Sequence, residues 1–311
     1  MITGAGGFMG PHLIDYLLSM NHEVLGTYFQ PTTDISSVNR KAMLMECDVR
    51  DREKVFRIIN EFKPERIFHL AAQSYPSVSW EKPNYTVQTN IEGTVNIFEA
   101  VKKSNKECII MNACSSAEYG FVTEDEVPVK ESRGLRPLHP YGVSKVAQEL
   151  LAYQYWKNFK VKSVSARIFN TTGPRKVNDV CSDFTKRAVM IEKGQGEKRM
   201  RVGTLETRRA ITDVRDIIRA FWLLTEKGEY GEAYNLSGAK VYSMKELLDI
   251  VLRITKLEGV EIWQDPELIR PTDEPIIFGS TEKFSKLTGW KQEILIETTL
   301  KDMVEHWRSA L

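Results

Sequence analysis

The sequence predicts an α/β protein: a doubly wound parallel sheet with a smaller α/β region set against its strand ends. Three observations carry that prediction. Up to Phe169, short apolar runs alternate with longer segments of helical period, the pattern of successive βαβ units. A glycine-rich loop, Gly4-Ala5-Gly6-Gly7-Phe8-Met9-Gly10, separates the first apolar run from the first helical segment. Beyond Phe169 the alternation gives way to polar, Gly- and Pro-containing stretches between isolated helical patterns.

In order along the chain, strands are expected at the start and over 24–27, 42–45, 66–70, 108–111 and 163–169. Helices are expected between them over 11–20, 52–62, 85–104 and 142–159, where apolar residues recur every three to four positions. Later helical patterns cover 184–193, 216–225, 244–255 and 299–309. Residues 1–169 therefore form the sheet domain, rejoined by about 205–237, and 170–311 form the second region. Only Met1-Ile2-Thr3 precede the first glycine, fewer than the 5–6 residues of an ordinary strand, so a few further N-terminal residues are expected in the natural chain.

Composition removes several function classes. The 311 residues are 42% hydrophobic and 27% charged, with 43 basic against 42 acidic side chains. That balance argues against nucleic-acid binding. No apolar run approaches the ~20 residues of a membrane span, and the N-terminus lacks the basic and apolar segments of a signal peptide. A cytoplasmic protein is expected. Cys47, Cys108, Cys114 and Cys181 form no C-x-x-C pair and lie near no histidine at ligand spacing, so no metal site is expected.

The glycine loop has G-x-x-G-x-x-G spacing. Placed between a strand and a helix, it forms a tight turn whose backbone N–H groups face a pyrophosphate at the helix N-terminus. Gly4, Gly7, Phe8, Met9 and Gly10 are the contact candidates. The end of the second strand reads Gly26-Thr27-Tyr28-Phe29-Gln30, with neither a carboxylate for a ribose 2′-hydroxyl nor an arginine for a 2′-phosphate, although Arg40 or Lys41 lies within a short distance along the chain. The cofactor is therefore NAD(P), with the choice open. Asp48 and Val49, after the third strand, are placed to meet an adenine, or Asp48 caps the following helix.

Tyr141 and Lys145 stand at i, i+4 in a predicted helix, which puts phenol and ammonium on one face. A free phenol titrates near ~10; a neighbouring ammonium favours its ionised form and makes it a proton shuttle. Ser115, at the end of the fifth strand, is positioned to hydrogen-bond a reacting carbonyl. Between Lys186 and Arg219 there are ten basic and five acidic residues, and arginines there suit a diphosphate.

These residues, with Cys47-Asp48-Val49, His69-Leu70-Ala71-Ala72, Thr89-Asn90-Ile91-Glu92-Gly93-Thr94 and Arg167-Ile168-Phe169-Asn170, resemble over essentially the whole chain the extended short-chain dehydrogenase/reductases (Rossmann fold) that act on nucleotide-sugars. Val202-Gly203-Thr204-Leu205-Glu206, Thr212-Asp213-Val214-Arg215-Asp216 and Arg270-Pro271-Thr272-Asp273-Glu274-Pro275 are similar to the branch of GDP-mannose 4,6-dehydratases and GDP-4-keto-6-deoxymannose reductases. The resemblance implies Ser115, Tyr141 and Lys145 as the catalytic set, with Lys145 also on the nicotinamide ribose. It implies cofactor contacts from the glycine loop, Asp48, Val49, Leu70, Ala71 and Ala72. A GDP-sugar substrate would be held by Ser116, Asn170, Val180, Lys186, Arg209 and Arg270, the two arginines on its diphosphate. It also implies a homodimer, for which Val87, Ile91, Val95 and Phe98 on one helix and Val146, Leu150 and Tyr153 on another are candidates.

Within that branch the position two residues after Ser115 discriminates. Dehydratases resemble one another in carrying a glutamate there, and elimination of the 6-hydroxyl needs such a carboxylate. This chain has Ala117. Glu118 is one place off, and in extended backbone a one-residue shift points it to the opposite face. The expectation is therefore reduction of a 4-keto group by NAD(P)H. The alternatives are 4,6-dehydration, 4-epimerisation and, from a different class, a non-catalytic dinucleotide sensor.

Overall fold

The computed structural model describes residues 1–105, 107–269 and 274–311. The first half delivers the expected alternation: β1 (Ile2–Thr3), α1 (Met9–Ser19), β2 (Leu25–Tyr28), β3 (Met43–Glu46), α2 (Arg52–Phe62) and β4 (Arg66–His69). Then come α3 (Pro76–Glu81), α4 (Pro83–Val87), α5 (Gly93–Ser104), β5 (Ile109–Ser115), α6 (Pro140–Phe159) and β6 (Ser163–Ile168). The segment expected as one helix over 85–104 is broken by a π turn at Gln88–Glu92, a device that shifts the register of the side chains following it.

The second half contains β7 (Thr171–Thr172), α7 (Val180–Glu192), β8 (Arg199–Val202), β9 (Arg208–Ala210), β10 (Thr212–Asp213), α8 (Val214–Lys227) and β11 (Ala233–Leu236). It ends with β12 (Val241–Ser243), α9 (Met244–Thr255), β13 (Glu261–Gln264), β14 (Ile276–Ile277), α10 (Glu282–Thr288) and α11 (Ile296–Ala310). Apart from β11, its strands are two to four residues long and pair only with each other or with β7.

The main sheet has seven strands in the order β3-β2-β1-β4-β5-β6-β11, all parallel. Strand order reverses between β1 and β4, so a crevice opens at their C-terminal ends. Gly4 and Leu70 follow the ends of β1 and β4, and Ser115 ends the neighbouring β5. One core, containing Ile2, Leu13, Ile14, Phe68, Met111 and Phe221, lies under α1 and α8. A second, with Ile59, Ile67, Phe98 and Ile110, lies under α2 and α5. A third, around Phe184, Leu247 and Leu300, holds α7, α9 and α11 together. All four cysteines are free and buried. Among the described residues no helix is long and apolar enough to cross a membrane.

Candidate active site

The crevice is a single cavity of about 1050 Å³ running from the glycine loop to the second region. Gly4 has φ +72, and a Cβ there would lie 2.8 Å from the backbone nitrogen of Ala71. At Gly10 a Cβ would lie 2.4 Å from the carbonyl oxygen of Ala5. The loop is thus pressed against both the β4 turn and the start of α1. That helix has no side-chain cap and no acidic residue in its first turn, which leaves its N–H groups and positive dipole end to an anion. Lys176 adds a cation beside the loop, 4.6 Å from the Phe8 ring centre.

Asp48 and Val49 line the cavity. The capping role considered for Asp48 falls instead to Asp51, which accepts from the N–H of Lys54 at 3.0 Å. Asp48 accepts from the backbone and guanidinium of Arg50. Burial raises its carboxyl, but the bonds and charge from Arg50 outweigh that and hold it below its ordinary value. Leu70, Ala71 and Ala72 form the opposite wall. Asn90, in the π turn, fixes that wall: its amide donates to the Gln73 carbonyl at 3.0 Å and to the Ser144 hydroxyl on α6 at 2.8 Å.

At the cavity floor stand Ser115, Tyr141 and Lys145. Pro140 opens α6 at the position where its missing N–H costs nothing, and the helical spacing brings the Lys145 ammonium within 5.7 Å of the Tyr141 ring centre. Lys145 donates to the Ala113 carbonyl at 2.8 Å. Burial lowers its pKa to about 8, with Cys114 and Glu118 opposing. The phenol of Tyr141 is pushed up to about 12 by burial, against a hydrogen bond with Ser115 that lowers it. The expectation that Lys145 would make the phenol more acidic is corrected here, because desolvation exceeds any help from an ammonium turned toward Ala113. A phenol held protonated at neutral pH suits a proton donor. His69, beneath, bonds Thr3 and Thr94, and burial, with Lys145 next, pushes it down to about 3.

Ser115 is held twice. Its Oγ accepts from the N–H of Ala117 at 3.2 Å, and its own N–H donates to Glu118 Oε1 at 2.8 Å. Ala117 lines the cavity, whereas Glu118 is fully buried behind it. Burial and then the neighbouring Glu149 raise the Glu118 carboxyl to about 8. Cys114, Glu118 and Glu149 bring ligand atoms within 4.8 Å of one another, but the Arg167 guanidinium already bonds Glu149 at 2.7 Å and lies 3.7 Å from Glu118, taking the cationic place. Glu118→Gln is expected to stay within about 1 kcal/mol of wild-type stability, since the amide oxygen still accepts from the Ser115 N–H. Glu118→Ala is expected to cost about 1–3 kcal/mol by orphaning the Ser115 N–H. Denaturant midpoints of both variants test this.

Toward the second region, Ser116, Asn170, Val180 and Arg209 line the cavity. Asn170 Nδ2 and Thr89 Oγ1, both on residues that line the cavity, are buried without a hydrogen-bond partner among the described residues, so each has a bond that a ligand in the cavity would complete. Arg209 donates to the Glu274 carbonyl at 2.8 Å while lining the cavity. Arg270 lies outside the described residues. Lys186 is a correction. It does not line the cavity: six positions past Val180 it stands about 120° round α7 at ~3.6 residues per turn, and its ammonium lies over the Trp307 ring at 5.2 Å. Sequence reasoning missed Lys176, Asp179 and His139, which also line the cavity; Asp179, an N-cap accepting from Ser182 at 2.7 Å, carried the signal of an acidic residue just ahead of a helix.

The sheet order, the glycine cradle and the Ser-Tyr-Lys floor define an NAD(P)-dependent oxidoreductase of the extended short-chain dehydrogenase/reductase class. The family model described as GDP-mannose 4,6 dehydratase matches residues 1–303, and the chain belongs to that family. It is similar to the GDP-6-deoxy-D-mannose reductase of Pseudomonas aeruginosa, with 29% identity over all of this chain and 97% of the relative. The solved structure of RMD from Pseudomonas aeruginosa complexed with NADPH superposes with a TM-score of 0.86 at 27% identity, covering 100% of this chain and 99% of that one. The UDP-glucose 4-epimerase of Thermotoga maritima, solved with UDP-glucose, gives 0.90 at 26% identity, covering 99% and 98%.

Proposed function

We propose that this chain reduces the 4-keto group of a GDP-4-keto-6-deoxyhexose with NAD(P)H, giving a GDP-6-deoxyhexose such as GDP-6-deoxy-D-mannose. One observation carries the choice over dehydration within a family named for dehydratases: Ala117 faces the cavity where a dehydratase needs a carboxylate, and Glu118 is turned away into the Arg167 network. The likeness to a GDP-6-deoxy-D-mannose reductase supports it.

The glycine loop and the α6 face carrying Tyr141 and Lys145 would hold NAD(P)H, which when bound would supply the hydride for the carbonyl carbon. Tyr141 donates its phenolic proton to the carbonyl oxygen. Ser115 has its Oγ oriented by the Ala117 N–H, so its own hydrogen is available to the same oxygen. Lys145, cationic below about pH 8, holds positive charge beside the phenolate that forms and favours it. Asn170, Val180, Ser116 and Arg209 hold the nucleotide-sugar, with Arg209 toward the diphosphate.

Transfer from cofactor deuterated at its donating position tests the reading: the product should carry deuterium at carbon 4, with the sugar's methyl group unlabelled. Deuterium-free product, or product formed from GDP-mannose without cofactor loss, counts against it.

The assembly proposed is a homodimer through α4, α5 and α6. Val87, Leu150 and Tyr153 are exposed there, joined by Val143 two turns before Leu150 on α6. Phe98, a candidate for the same face, is instead wholly buried in the core under α5. Light scattering should give a mass near 71 kDa, twice the 35.7 kDa chain, and Leu150→Glu should shift it toward the monomer.

A further inference from the structure

His139 is the residue from which the helix carrying Tyr141 and Lys145 begins. The N–H groups of a first helical turn need acceptors from outside the helix, and side-chain oxygens usually provide them. Here the acceptor is an imidazole: Nδ1 of His139 takes the N–H of Gly142 at 3.0 Å. The same ring stacks on Tyr141, with centres 5.8 Å apart and 21° between planes, and it lines the cavity. A backbone amide can only donate, so Nδ1 is unprotonated and the ring's proton sits on Nε2. A second proton would turn Nδ1 into a donor facing another donor and place a positive charge at the positive end of α6.

We propose that neutral His139 is the positioning residue for Tyr141: it caps α6 beside the phenol ring, and it gives up that cap when it takes up a proton, so that proton donation by Tyr141 fails on the acid side. The proposal rests on the reductase reading and deepens the same site.

Tyr141 is the titratable group stacked on the ring; Gly142 packs against Ala117 and Pro137, which carry no charge. Burial pushes the imidazole below its ordinary value, and a backbone hydrogen bond opposes it. Lys145 and Glu118, both at about 8, change state on the alkaline side, and His69, at about 3, far to the acid side.

Three variants of the whole chain separate the roles. His139→Asn and His139→Ser keep an acceptor that does not titrate, and His139→Ala has none. Reductase kcat and KM are measured from about pH 5 to pH 8, across the range where histidine changes charge, with Tm at each pH. At neutral pH the Ala variant should lose roughly tenfold in kcat, equivalent to about 1.4 kcal/mol, with KM little changed, and Asn or Ser should recover most of that loss. Toward acid pH, kcat of the wild type should fall while the Asn and Ser variants hold theirs. Tm should move the same way: a group whose folded pKa is depressed stabilises above its unfolded value and loses that stabilisation as pH falls through the folded one. An acid limb unchanged in both Asn and Ser, or an Ala variant matching wild type in kcat and Tm, overturns the proposal. A wild type without reductase turnover overturns the functional reading instead, and the Tm series still decides the cap.

Discussion

Tyr141→Phe should lower kcat for carbonyl reduction by roughly 10²- to 10⁴-fold, the range of a positioned general acid, while dinucleotide affinity changes little. The substitution keeps the ring stacked on His139 and removes only the oxygen bonded to Ser115. Because burial holds that phenol protonated up to about 12, the variant loses a donor that is loaded at every working pH. Steady-state rates with a fluorescence titration of reduced cofactor check both halves. A variant that binds cofactor and turns over at the wild-type rate removes Tyr141 from the chemistry.

Gly10→Ala should damage cofactor binding most directly. The new methyl carbon would stand 2.4 Å from the Ala5 carbonyl oxygen and 2.6 Å from its carbon, backbone atoms that cannot swing aside. Either the loop or the first turn of α1 must move, at about 1–3 kcal/mol for overpacking of this kind. If all of that falls on the pyrophosphate cradle, the dinucleotide Kd rises roughly 5- to 150-fold. Gly134→Ala, where a Cβ meets nothing within 4 Å, is the matched control and should bind as wild type. Calorimetric titration of the two variants decides it.

The sheet was legible because its signals are local. Apolar runs mark β2, β4 and β6 to within a residue or two, and Arg52–Phe62 and Met244–Thr255 emerge with the bounds their periodicity predicts. Tyr141 and Lys145 were legible for the same reason, since four residues of helix place them together whatever surrounds them. Contributions from distant chain were hidden. Among the later strands, β9 is set by β12 and β14, more than thirty residues away. Lys186 was misplaced because a stretch shared with Val180 need not share its helix face. The π turn at Gln88–Glu92 leaves no mark in composition. The direction of the Tyr141 shift depends on desolvation by the folded cavity, which no spacing reveals.

The place of Glu118 agrees with the expectation for a different reason. Extended backbone after Ser115 would turn a residue one place off to the opposite face, but Ser116–Glu118 form a 3₁₀ turn, and that turn carries the Glu118 carboxylate behind the cavity wall. That it then holds Ser115 by the backbone follows only from the 3₁₀ turn that ends β5.

A cavity with Tyr141 as donor and alanine at 117 should reduce a keto-sugar and leave its precursor undehydrated. The most direct measurement is the absorbance of reduced cofactor during incubation with GDP-4-keto-6-deoxymannose, run beside GDP-mannose with oxidised cofactor. Stoichiometric loss of the reduced-cofactor band is expected in the first and no 4-keto product in the second. A stable band in the first, with 4-keto sugar accumulating in the second, would contradict that expectation.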